Sequence, residues 1–154
     1  MTPTASAQTI LVVEDSDDDF LATARALKKA GLANPVQRCT NGDQALDYLF
    51  RRSEYADAGR SPKPGLVLLD LNLPGTDGRE VLRVIKLDPV LRKVPVVVLT
   101  TSSADQDIQR CYDYGANSYV QKPVDLQGFV QAMTRLKEYW FEVAILPRDE
   151  GTLP

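Results

Sequence analysis

Five residues in this chain have types suited to shared chemistry, and each stands where an apolar run ends. "TILVV" (9–13) is followed by Glu14 and Asp15, "GLVLL" by Asp70, "VPVVVL" by Thr100, and "NSYVQ" by Lys122. Taken singly, each has an ordinary structural reading. Acids favour helix N-termini, an aspartate suits the turn after a strand, threonine is a common strand residue, and a lysine before proline suits a solvated loop. Taken together, three carboxylates, a hydroxyl and an ammonium recur at equivalent positions. Three carboxylates in one cleft repel and raise one another's pKa, which a divalent cation relieves. A donor set made only of oxygen points to Mg²⁺ or a similar hard ion. With that ion and Lys122 the formal charges cancel. Such a site could accept a phosphoryl group at Asp70, with metal and ammonium stabilising the phosphoryl oxygens.

The spacing predicts the elements that would bring these residues together. Strand-like runs at 9–13, 35–40, 65–70, 94–100 and 117–123 alternate with helical patterns. Ser16 or Asp17 would cap the first helix, with Phe20, Leu21, Ala24 and Leu27 at helical spacing and Gly31 ending it. Further helices are expected over 41–52, 77–88, 103–116 and from 124 onward, where Leu126, Phe129, Val130, Met133 and Leu136 form one stripe. The turn-rich 53–65 reads as a long exposed loop. Five βα units imply an α/β fold with a parallel sheet covered by helices on both faces. In an open sheet of this kind all the carboxyl ends lie along one edge, where ligands bind.

Composition narrows the function classes. There is no histidine, which removes histidine acid–base chemistry, histidine metal ligands and Ser-His-Asp triads. Cys39 and Cys111 match neither a zinc spacing nor a disulfide framework and read as buried thiols. A net charge of −3 with no basic run argues against nucleic-acid binding. "MTPTASAQT" is unlike a signal peptide, and no apolar run reaches membrane-spanning length, so a cytoplasmic protein is expected. The expected organisation is a flexible 1–7, one domain over 8–146 and a tail over 147–154, with no output domain. Output would then be protein–protein contact or onward phosphoryl transfer.

"ED" (14–15), "DLNLPGTDG" (70–78), Thr100, Tyr119 and "KP" (122–123) resemble the receiver domain of bacterial two-component response regulators. The resemblance spans roughly residues 8–140. It implies the flavodoxin-like (βα)5 fold with strand order 2-1-3-4-5 and a C-terminal helical extension. It also implies that Asp70 accepts a phosphoryl group from a phosphohistidine on a sensor histidine kinase. Glu14, Asp15 and Asp70 would surround Mg²⁺, some directly and some through water, with the Asn72 backbone carbonyl as a further ligand. Thr100 and Lys122 would contact phosphoryl oxygens. Tyr119 would be the aromatic that turns inward when Thr100 moves, although a half-buried strand aromatic is an equal reading of that residue. The Lys122–Pro123 peptide would be cis. Glu14 stands where many members carry aspartate, which leaves open whether it meets the metal directly.

"ALDYLFRRSEYADA", "VPVVVLTTSS" and "YWFEVAILP" are also similar to the stand-alone regulators that accompany bacterial and cyanobacterial phytochromes. That implies a light-sensing kinase as donor. The segment 139–146 is apolar except for Glu142, more than a helix packed on one surface needs. Trp140, Phe141, Val143 and Ile145 are therefore candidates for a homodimer interface, as the resemblance also implies. The rival reading folds this end back on its own domain. Three other functions fit less well. An aspartyl-phosphate phosphohydrolase would need a second acid at position 72, which is asparagine. A flavin or nucleotide binder would need a Gly/Ser/Thr-rich loop where "EDSDDD" (14–19) stands. A phosphorylation-independent scaffold would not need every site residue.

Overall fold

The computed structural model describes residues 8–147 apart from 58 and 60. The segment 1–7 and, of the expected 147–154 tail, all but Pro147 lie outside the described residues. Five parallel strands, β1 (Thr9–Val13), β2 (Val36–Cys39), β3 (Pro64–Leu69), β4 (Val96–Thr100) and β5 (Ser118–Gln121), form one sheet in the order β2-β1-β3-β4-β5. This is the expected fold and order. β1, β3 and β4 are buried at every position, because helices cover both faces.

Side chains alternate along these strands, and each face collects its own core. Leu11, Val13, Val67, Leu69, Val96 and Val98 pack with α2 (Gly42–Leu49) and α3 (Gly78–Leu87), and Cys111 of α4 (Asp105–Asp113) joins them. Ile10, Val12, Leu66, Leu68, Val97 and Leu99 pack with α1 (Asp17–Lys29) and α5 (Leu126–Lys137). Cys39 and Cys111 are free, fully buried thiols, as expected, and burial pushes them up to about 12 and about 11.

The helix starts follow local chemistry. Ser16, Asn41, Asp77 and Asp125 each cap a helix through a side-chain oxygen. Gly31 (φ +88°) and Gly115 (φ +103°) take the left-handed conformation just beyond α1 and α4.

Two segments add to the expected elements. The segment 53–65 is exposed at Ser53, Glu54, Ala56, Asp57 and Gly59, as expected, and is also pinned: Ser53–Tyr55 forms a short helical turn, Tyr48 donates its hydroxyl to the Pro62 carbonyl at 2.7 Å, and Ser61 is buried with its hydroxyl on the Tyr55 carbonyl. The polar turn residues satisfy one another and bring backbone onto the core. The second follows α5. α5 continues into a wider helical turn, Glu138–Val143, closed by the Ala144 amide on the Tyr139 carbonyl at 2.7 Å. Trp140 is only 9% exposed and joins the core beside β1, with Phe141 packed against it. Both residues thus pack within their own domain, the contact that the fold-back reading expects. Val143 (70%) and Ile145 (98%) remain exposed.

Candidate functional site

Registers within the sheet align the strand ends. Val13 pairs with Cys39 and Leu69, Leu69 with Val98, and Thr100 with Gln121, so the residues that follow emerge along one edge. Glu14 is buried (3%), Asp15 exposed and Asp70 buried (7%), and one carboxylate oxygen from each lies within 4.8 Å of the others. Arg38 steadies this corner by donating to the Glu14 carbonyl at 3.0 Å while pairing with Asp17 at 2.8 Å.

Lys122 reaches into the same place. Its amide donates to the Thr100 carbonyl at 2.7 Å, and its ammonium lies 2.7 Å from Glu14, 2.8 Å from Asp19 and 3.0 Å from Asp70. The Lys122–Pro123 peptide is trans, not cis as the resemblance implies. Trans remains the lower-energy isomer even before proline. Asp19 is the residue the sequence reading missed. It stands three residues after the Ser16 cap, whose hydroxyl accepts its amide, and the acidic run 14–19 was the available signal.

Electrostatics follows from the burial. Burial holds the Glu14 carboxyl above its usual range, against the hydrogen bond from Lys122, and nearby Asp70 adds to the rise. Burial alone would lower Lys122, but Asp19, Glu14 and Asp70 outweigh it and hold the ammonium charged. With Asp15, four carboxylates face one ammonium, and the corner is short of positive charge. Asp70 Oδ1 accepts the Leu71 amide at 2.7 Å and Oδ2 accepts Lys122, so both oxygens are oriented. Thr100 is fully buried at the edge, and its hydroxyl has no hydrogen-bond partner among the described residues. Burying a hydroxyl without a partner is costly, and its position suits it to a ligand oxygen. The all-oxygen, charge-deficient donor set fits a hard divalent ion.

Beside the site, Tyr119 is half-buried and donates its hydroxyl to the Ser102 carbonyl at 2.9 Å. The Ser102 hydroxyl bonds to Asp107 at 2.7 Å, and Asp107 accepts from Arg79 at 2.8 Å. The Arg79 and Ser102 hydrogen bonds hold the Asp107 carboxyl down to about 2. The β4–α4 loop is thereby tied to α3, α4 and β5. Asn72 is exposed in the loop after Asp70.

A doubly wound parallel sheet thus carries an acidic pocket, a lysine and a buried hydroxyl at its carboxyl edge, the architecture of a receiver-type signalling domain. The family model for the response regulator receiver domain matches residues 10–134, and the chain belongs to that family. Response regulator Rcp1 of Synechocystis is 38% identical over 138 residues, covering 90% of this chain and 92% of Rcp1. The crystal structure of its Mn²⁺-bound form superposes with a TM-score of 0.83, covering 92% of this chain and 99% of the other. The phosphorylated cyanobacterial phytochrome response regulator RcpA shares 40% identity with a TM-score of 0.85, at the same coverages. RPA3017, a response regulator in red light signaling of R. palustris, shares 37% identity with a TM-score of 0.87, again at those coverages. Among the described residues no helix is long and apolar enough to cross a membrane.

Proposed function

We propose that this receiver-domain response regulator takes a phosphoryl group onto Asp70 from a phosphohistidine of a sensor histidine kinase of the phytochrome type, and changes conformation to relay the signal. The carrying observation is the corner itself: Glu14, Asp15 and Asp70 with carboxylate oxygens within 4.8 Å, Lys122 paired with Glu14 and Asp70, and a buried Thr100 hydroxyl without a partner among the described residues. An Asp70 oxygen would attack phosphorus as the donor's P–N bond breaks, the bonding pair leaving with the imidazole nitrogen. Glu14, Asp15, Asp70 and the Asn72 carbonyl would hold Mg²⁺, which supplies positive charge to the transferring group. Lys122 and Thr100 would contact the phosphoryl oxygens. Tyr119 would follow Thr100 inward, leaving its bond to Ser102. The light-linked donor is supported by the similarity to RcpA, a phytochrome response regulator, and to RPA3017, a regulator in red light signaling. Catalysis would extend only to the protein's own phosphorylation and dephosphorylation. A cytoplasmic homodimer is the assembly we favour, supported by exposed Tyr139, Val143 and Ile145 along the last turn.

Incubation with a phosphorylated phytochrome-type kinase, or with acetyl phosphate, should label the wild-type protein in the presence of Mg²⁺. Both Asp70→Asn and EDTA should abolish labelling, and labelling that survives in Asp70→Asn would refute the assignment.

A further inference from the structure

Loop 71–77 joins Asp70 to α3 and carries Asn72. Its near end is held by its own backbone: the Leu71 carbonyl accepts the amides of Leu73 (3.1 Å) and Gly78 (2.9 Å). Gly78 packs so closely that a Cβ there would lie 2.2 Å from the Asp70 carbonyl oxygen. The far end is held from another element, the start of α2. The Gly42 amide donates to the Pro74 carbonyl at 3.2 Å. A Cβ on Gly42 would fall 1.8 Å from the Thr76 carbonyl oxygen and 2.7 Å from its carbon, so only glycine allows the loop backbone this close. The neighbouring Asp43 carboxylate accepts the Thr76 hydroxyl and lies against Gly75, which takes φ +71°. The helix start is itself held: Asn41 accepts the Gln44 amide at 2.7 Å, and the Gln44 side chain accepts the Thr40 amide, just before the cap, at 2.6 Å.

We infer that Gly42, Asp43 and Thr76 form a positioning clamp. Through loop 71–77 it sets where the Asn72 carbonyl stands relative to Glu14, Asp15 and Asp70, and so sets the affinity of the site for a divalent cation. This rests on the metal-site reading above. The clamp residues are assigned no contact with the ion. They act as outer partners do in metal sites, by fixing the group that ligates, and loss of such partners weakens binding by roughly ten- to a hundredfold.

The test is Mn²⁺ binding by calorimetry on the full chain, with urea unfolding in EDTA run alongside. Asp43→Ala and Thr76→Val should weaken Mn²⁺ binding by about tenfold. Asp43→Asn, which still accepts the Thr76 hydroxyl, and Thr76→Ser, which still donates it, should bind within about twofold of wild type. Gly42→Ala should show the largest loss, and if it does not fold, the Asp43 and Thr76 variants decide. Unchanged Mn²⁺ affinity in folded Asp43→Ala and Thr76→Val overturns the clamp. Equal losses in Asp43→Asn and Asp43→Ala also overturn it, because the effect is then long-range charge. Wild type that binds no better than Asp70→Asn would instead overturn the metal-site reading.

Discussion

Lys122 shows how much one side chain organises here. Its three ammonium donors are matched by Glu14, Asp19 and Asp70, residues from two chain segments that lie far from it in sequence. Removing one partner of such a buried pair leaves uncompensated charge, which is the costly case. Thr100 is the reverse case, a buried group whose hydroxyl has no hydrogen-bond partner among the described residues. Thr100→Val keeps the shape and removes an unsatisfied hydroxyl. It should therefore raise stability toward urea by about 1 kcal/mol while blunting the response to phosphorylation. A loss of more than about 1 kcal/mol would show that the hydroxyl is already bonded in the resting protein.

At the scale of elements, the end of the chain separates two roles within six residues. Trp140 faces the core beside β1, whereas Val143 and Ile145 face outward. Trp140→Ala removes a large buried side chain and should cost about 3 kcal/mol of stability, read by urea unfolding. Val143→Asp with Ile145→Asp should leave stability within about 0.5 kcal/mol, as expected for exposed positions, and should convert a dimer to a monomer by light-scattering mass. An unchanged mass would sink the proposed interface. This pair is a cleaner probe than truncation after Lys137, which also removes Trp140 from the core. The α3–α4 tie has a similar logic: Arg79 on one helix and Asp107 on the other hold the loop that carries Ser102.

For the molecule as a whole, the parallel sheet concentrates negative charge at one edge while its body stays apolar. A cation that binds only the folded corner must stabilise the fold, by an amount that grows with its concentration over its Kd. Millimolar Mg²⁺ should therefore raise the thermal midpoint of the wild-type protein. The rise should be much smaller in Asp70→Asn, and an equal rise in both would point to non-specific screening. Differential scanning fluorimetry with and without EDTA reads this directly.

Much of this was legible in the linear chain because its signals are local. Apolar runs and capping residues mark the elements, and the rule that parallel strands end on one edge brings Glu14, Asp15, Asp70, Thr100 and Lys122 together. The family resemblance then supplied the strand order. The remainder depends on contacts between segments distant in sequence. Asp19 joins Lys122 across 103 residues, Gly42 at the start of α2 meets Thr76 in the loop after β3, and Trp140 packs into the core. The Lys122–Pro123 peptide is trans, where family pattern implied cis. Sequence by itself determined which groups reach the edge, since periodicity and strand termini are properties of neighbouring residues. Only the tertiary structure decided which of them touch and how closely, because close packing and pairing of charges are set by the whole set of surrounding atoms.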